Sequence, residues 1–352
     1  MNIEYNKSRA RHVPATRALA TALSALLLTA SLAVLLLPLA ACSREEYRRI
    51  TIFAMDTPVT IQINASYSGA DHVLAECERI LNRLDGLLSR TREGSDVWRI
   101  NHNLVTEGLD ADTVALLRAA IYVSEQTDGA FDVTVAPLIE LWETCRDAGR
   151  LPEESELERA RGLVDYRALT LEGDTLTKSD ADVRIDLGGI AKGYAADVVA
   201  DYMRSCGVEY GLVNFGSCIA AVGEKPDGSP FRIAIRDPGD TSGVVGYVTL
   251  DGGVLSVTGD YERYYEIDGQ RYHHVLSPRT GRPAETVWHS VAVVCGSGAV
   301  ADAMSTALFV AGDYERYYAA LRGTDLAFEG VFTGDGGTSA SAGIAADFEP
   351  AK

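Results

Sequence analysis

Apolar positions along this chain recur with two periods, and the changes between them divide it into elements. From Ala70 onward, Val73, Leu74, Cys77, Ile80, Leu81, Leu84 and Leu88 fall three and four apart, so one face of a helix is buried. Before it, residues 50–64 read as a strand interrupted at Ala54-Met55-Asp56-Thr57-Pro58. Ser95-Asp96 caps a short helix carrying Val97, Trp98 and Ile100, and residues 112–127 form a longer helix closed by Asp128-Gly129. After Gly129, Pro137 breaks any regular element.

Residues 153–161 pattern as a short charged helix, and 166–187 as strand pieces turning at Glu172-Gly173-Asp174. Residues 182–187 alternate like a strand and run into paired glycines. Ala195, Val198, Val199 and Met203 then take helical spacing up to Gly207. Further strands fall at 210–213, 231–236, 245–250, 254–258 and 287–295, with a hairpin over 264–276 turning at Asp268-Gly269. Helices over 299–308 and 313–322 follow. Antiparallel signals mixed with helices, rather than a repeating βαβ array, predict an α+β fold.

The N-terminus stands apart from this pattern. Residues 1–41 carry Lys7, Arg9, Arg11 and Arg17 against the single acid Glu4, then an uncharged apolar run ending Leu39-Ala40-Ala41-Cys42. A basic start, an apolar stretch and small residues before a cysteine describe a lipoprotein signal peptide with lipidation at Cys42. The run is also long enough for an uncleaved transmembrane anchor. Either leader delivers the rest of the chain outside the cytoplasm. We therefore divide the chain into a signal peptide (1–41), a tether (42–49) and one catalytic domain (50–345).

The net charge of −18, with +3 in the leader, leaves about −21 on the remainder. Such a body repels nucleic acid and anionic lipid, so only the lipid anchor holds it at a membrane. Cys77, Cys145, Cys206, Cys218 and Cys295 are scattered, with no C-x-x-C spacing for a zinc site or a disulfide framework.

Candidate chemistry is spread widely. Asp302 and Thr306 stand four apart on one helix face, with Ser305 beside them. With a carbonyl freed by a glycine turn, they are hard oxygen ligands suited to Mg²⁺. The same residues would serve a helix whose small polar groups face water. His274, at the foot of the 264–276 hairpin, could take a proton from a hydroxyl; a structural histidine is the alternative. Phe131-Asp132 offers an aromatic face beside an acid, or an ordinary core phenylalanine. Asp186 and Lys192 flank the glycine turn as a phosphate or metal corner, or as a tight turn alone.

The ordered set of motifs resembles the ApbE family of FAD:protein FMN transferases. Ala54-Met55-Asp56-Thr57, Gly129-Ala130-Phe131-Asp132-Val133-Thr134, Asp186-Leu187-Gly188-Gly189-Ile190-Ala191-Lys192-Gly193, Thr258-Gly259-Asp260-Tyr261-Glu262-Arg263, His273-His274-Val275 and Ala301-Asp302-Ala303-Met304-Ser305-Thr306 follow in family order. The resemblance implies a single compact, T-fold-like domain of mixed, largely antiparallel sheets with flanking helices. It implies that Met55, Ala130, Phe131, Asp132, Asp186 and Lys192 line an FAD site. Gly189 through its carbonyl, with Asp302, Ser305 and Thr306, would hold Mg²⁺. His274 would activate a threonine of an acceptor protein, such as a membrane redox subunit, for attack on FAD with AMP leaving.

Four positions depart from the family's pattern. Asp56 replaces a glycine, and Asn214-Phe215-Gly216-Ser217-Cys218 replaces Asn-x-Gly-Gly-Asp/Asn. Ser277 stands where Asp or Asn precedes the proline, and Thr91 stands where a cofactor-stacking tyrosine is usual. A flavin-binding lipoprotein without catalysis and an enzyme that hydrolyses FAD to FMN and AMP remain the alternatives. The stretch Gly334-Asp335-Gly336-Gly337-Thr338-Ser339 reads as a glycine-rich loop, with a faint likeness to a flavin acceptor.

Overall fold

The computed structural model describes residues 47–104 and 107–351. The leader, Cys42 and the first part of the tether lie outside them. The interrupted strand at 50–64 is a hairpin. β1 (Tyr47–Ala54) pairs antiparallel with β2 (Thr57–Asn64) through a two-residue turn at Met55-Asp56. Both turn residues have positive φ, 52° and 57°, as a primed hairpin turn requires. Aspartate tolerates this conformation because its short side chain can bond locally, so the Asp56 departure is accommodated by the turn.

That hairpin opens an antiparallel eight-stranded sheet of order β1-β2-β5-β6-β9-β12-β13-β14. Its further strands are β5 (Tyr210–Asn214), β6 (Cys218–Gly223), β9 (Val254–Gly259), β12 (Trp288–Cys295), β13 (Glu329–Gly334) and β14 (Gly337–Ala340). Period-two alternation splits the central strands between two cores. Ala220, Val222, Val291, Val293 and Phe332 face helices on one side; Ala221, Ala292 and Val331 face the other. There they meet a three-stranded sheet of β7 (Phe231–Arg236), β8 (Val244–Leu250) and β15 (Phe348–Pro350), in which Phe231, Ile233 and Ile235 alternate strictly with exposed residues.

Against the first face pack α1 (Ala70–Leu88), α6 (Ala191–Ser205) and α7 (Gly298–Ala311), with α3 (Ala111–Gln126) packed on α7 and α1. Every apolar position named above for the first helix is buried in α1. Ser95 caps α2 (Asp96–Asn101) by accepting the Trp98 N–H at 2.9 Å. α5 (Glu154–Arg161) and α8 (Tyr314–Leu321) also fall near their predicted positions.

Three sequence expectations need correction. Pro137 does not break an element but starts one, α4 (Ala136–Asp147); it sits in the first turn, where no helical N–H is needed. Residues 182–187 are not a regular strand. They run extended, held by one bridge between Val135 and Arg184 and by the Asp186 N–H on the Val133 carbonyl at 2.9 Å. The Gly334–Ser339 stretch is not a loose tail, because its glycines close the β13–β14 hairpin. Strands β3 (Leu169–Glu172) and β4 (Thr175–Lys178) pair as expected, as do β10 (Tyr264–Ile267) and β11 (Gln270–His273) about Asp268-Gly269. Among the described residues, no helix is long and apolar enough to cross a membrane. The five cysteines after Cys42 are free thiols.

Candidate active site

Helices α6 and α7 cross in van der Waals contact, and that crossing sets the geometry of the site. A Cβ on Gly193 would stand 1.9 Å from the Gly298 carbonyl oxygen, so only glycine fits. Asp197 ties the same seam, accepting N–H bonds from Gly298 at 2.7 Å and Ala299 at 3.2 Å at the start of α7. Burial pushes the Asp197 carboxyl up, against the pull of those donors.

Close contact lets Asp302, on α7, reach the start of α6. Its Oδ2 accepts the Gly193 N–H at 3.0 Å and its Oδ1 accepts the Ser256 hydroxyl at 2.9 Å. Gly193 is the third residue of α6, where an N–H has no partner within the helix, and Asp302 caps it. Gly189 lies before the Ile190 cap, and among the described residues no backbone N–H is donated to its carbonyl. The free carbonyl expected at the glycine turn follows from its place outside the helix.

A cleft of about 480 Å³ opens beside this corner. Gly189, Asp302 and Thr306 line it; Ser305 does not. Ser305 is fully buried behind them, donating to the Asp302 carbonyl at 2.9 Å and bonded to the Thr258 hydroxyl at 2.8 Å. Thr258 also stands 3.3 Å from the Thr306 hydroxyl. The donors lining this corner are a carboxylate, hydroxyls and a carbonyl, and among the described residues no group of three or more His, Cys, Asp or Glu is placed to hold a metal ion. That set fits a hard cation such as Mg²⁺ and not zinc.

The expected FAD-site residues Met55, Ala130, Phe131, Asp132, Asp186 and Lys192 all line the same cleft. Their side chains are engaged in different ways. Asp132 is buried, its oxygens taken by the Thr134 N–H at 2.8 Å, the Thr134 hydroxyl at 2.6 Å and the Tyr166 N–H at 3.2 Å. It holds the turn that presents Phe131, and burial raises its pKa. The Phe131 ring packs on the glycine turn, where a Cβ on Gly189 would come within 3.2 Å of it. Asp186 closes that turn by accepting the Gly188 N–H at 2.7 Å and pairs with Arg90 at 2.9 Å. Lys192 donates to the Gly188 carbonyl at 3.1 Å.

His274 lines the cleft beyond the foot of the β10–β11 hairpin. The Arg263 carbonyl accepts both its backbone N–H at 3.0 Å and its Nδ1 at 3.1 Å. A carbonyl can only accept, so Nδ1 carries the proton and Nε2 presents a lone pair. The residue is exposed on the cleft wall, yet the protein around it displaces part of its hydration. That desolvation lowers its pKa to about 4; the Arg263 hydrogen bond opposes the shift, while the charges of Arg263 and Lys192 add to it. The imidazole is therefore neutral at pH 7 and competent as a base.

The departures from the family pattern sit at turns. Asn214 Oδ1 accepts the Gly216 N–H at 2.7 Å to close the β5–β6 turn, leaving Ser217 on the cleft wall and Cys218 buried. Ser277 accepts the Gly281 N–H through its carbonyl at 2.8 Å. Thr91 lines the cleft without supplying an aromatic face. Sequence reasoning missed Arg90, whose guanidinium joins Asp186 to Glu143 at 3.0 Å, because it lies in a polar stretch without periodicity. It also missed Ser256 and Thr258, although two hydroxyls on one face of an apolar strand were a readable signal.

The sequence matches the ApbE family over residues 55–328. This chain belongs to the ApbE family. The FAD:protein FMN transferase of Vibrio cholerae serotype O1 is 37% identical over 243 residues, 68% of this chain and 73% of that protein. The enzyme of the same name from Escherichia coli K12 is 32% identical over 247 residues, 67% and 70% of the two chains. Among solved structures, the ApbE protein of Thermotoga maritima superposes with a TM-score of 0.79 at 32% identity, covering 86% of this chain and 99% of that one. The flavin transferase ApbE of Vibrio cholerae gives 0.75 at 31%, with the same coverages. The α+β fold of an ApbE enzyme expected from the motifs is thus the fold observed.

Proposed function

We propose that this protein transfers FMN from FAD to a threonine hydroxyl of an acceptor protein, releasing AMP and using Mg²⁺ held by Gly189, Asp302 and Thr306. Its class, a flavin transferase with FAD as donor and a protein as acceptor, comes with the family. The observation that carries the finer reading is one cleft lined both by a neutral imidazole of fixed tautomer and by a corner of oxygen donors. The acceptor oxygen forms a bond to the phosphorus on the FMN side as the bond from that phosphorus to the bridging oxygen breaks. The bridging oxygen leaves with its electron pair as part of AMP, and the hydroxyl proton passes to His274 Nε2. Lys192 brings a cation to the pyrophosphate beside an acidic body, and Phe131 and Met55 exclude water. Mg²⁺, when bound, acts as a Lewis acid on the pyrophosphate oxygens.

The leader and Cys42 would tether the enzyme by lipid to the outer or periplasmic face of a bacterial membrane, where a membrane redox subunit is a fitting acceptor. Incubating the protein with FAD, Mg²⁺ and an acceptor tests the activity. Transfer leaves flavin on the acceptor through denaturing electrophoresis, with one AMP per flavin. FMN and AMP without labelling would assign hydrolysis, and intact bound FAD would assign storage.

His274→Ala is expected to lower kcat by about 10²–10⁴-fold with FAD affinity retained. In the unaltered enzyme, the acidic limb of kcat/KM should bend near pH 4, where the imidazole gains its proton, rather than near its ordinary 6.5. An acidic limb that persists unchanged in the residual activity of His274→Ala would refute His274 as the base.

A further inference from the structure

Transfer to a protein demands that a segment of the acceptor enter the cleft, and the β10–β11 hairpin borders that entry. The hydrogen bond from His274 N–H to the Arg263 carbonyl sets the parity of this ladder. This bond gives Arg263 and His274 the parity of a hydrogen-bonded pair, made here through one of its two bonds. Alternation then makes Tyr264↔His273 and Glu266↔Arg271 non-bonded pairs. The backbone N–H and C=O groups of Tyr264 and Glu266 therefore point away from β11. Among the described residues they have no backbone partner, and the two strands form a sheet of their own. The β10 side faces the cleft, since Arg263, Tyr264 and Tyr265 line it, whereas no residue of β11 does. The base is at hand: the His274 ring leans over Arg263, the residue that leads into β10.

Resting on the transferase reading above, we propose that an extended segment of the acceptor protein adds as a third strand along the free edge of β10, which delivers its threonine to His274. Strand addition supplies main-chain hydrogen bonds whatever the side chains, and alternate side chains supply selectivity. A lone two-stranded sheet at the mouth of a catalytic cleft suits that use, because its outer edge is unspent.

The test uses the full protein, FAD, Mg²⁺ and a pool of 12-residue peptides, each with one central threonine and random flanks. Peptides that gain flavin are resynthesised and compared with Glu266→Pro. This variant removes one outward N–H, leaves the β10–β11 bonds intact, and loses only an exposed pair with Arg271. KM for the peptide should rise about tenfold, the loss of one well-made hydrogen bond, while FAD affinity is unchanged. Unchanged peptide KM in a folded Glu266→Pro overturns the inference and leaves the transferase reading standing. A second measurement needs no variant. Peptides N-methylated at successive positions should lose labelling at every other residue; a loss without that alternation, or labelling of whole acceptors but of no peptide, overturns it as well.

Discussion

Asp302→Asn lowers flavin transfer by about a thousandfold, roughly 4 kcal/mol in barrier, while the protein stays folded. The asparagine keeps the shape of the aspartate. Its oxygen can still accept the Gly193 N–H and its amide can donate to Ser256, the two bonds the carboxylate makes now. What it loses is the charge, the one full anion in a corner otherwise built of a carbonyl and hydroxyls. A hard divalent cation held there loses most of its attraction. Asp302→Ala would mix this effect with release of the α6–α7 seam, so the isosteric variant is the informative one. Activity followed by AMP release, over a Mg²⁺ titration, should fall with little movement of Tm. A variant within threefold of the parent would remove Asp302 from the proposed metal site.

Gly193→Ala is expected to cost about 3–5 kcal/mol of stability, with Tm falling by roughly 10 °C. Helix propensity argues the opposite, because alanine in a helix interior is favoured over glycine by about 1 kcal/mol. Packing outweighs it. The new methyl group would lie 1.9 Å from the Gly298 carbonyl oxygen and 2.8 Å from the Asp302 Cβ. Both belong to helix α7 rather than to a movable side-chain end, so the helices must part by more than 1 Å. Parting them also lengthens the Gly193–Asp302 bond that positions the carboxylate, so surviving protein should bind Mg²⁺ poorly. Thermal unfolding followed by circular dichroism decides the sign: a Tm equal to or above the parent's would show that the seam can relax.

Much of this architecture was legible because its signals are local. The face of α1 follows from seven apolar residues at helical spacing, and the β10–β11 turn from Asp268-Gly269. Ser95 is a cap by its own chemistry. Misreadings arose where one residue type serves two roles. Proline ends a helix or begins one, and Pro137 begins α4 because no hydrogen bond is asked of its nitrogen. Residues 182–187 alternate like a strand, but a single bridge to Val135 is all the pairing they find. The interruption at Met55-Asp56 was visible, yet its identity as a primed turn was not, since neither residue is a glycine. Strands β6, β13, β14 and β15 passed unread because they are short or finish against neighbours distant in sequence.

Sequence alone determined the residue types that can do the chemistry, their order along the chain and the family they resemble. Tertiary structure decided which of them meet. Asp302 lies 109 residues from the Gly193 N–H it captures, and that contact sets a carboxylate beside the glycine turn. Ser305, equal to Thr306 in type and spacing, faces away from the cleft and braces it, because adjacent residues on a helix point in different directions. His274 was one histidine among six until the Arg263 carbonyl fixed its tautomer and the surrounding protein lowered its pKa. Local spacing is written in the chain, whereas desolvation and close approach depend on groups far apart along it, brought together only by packing.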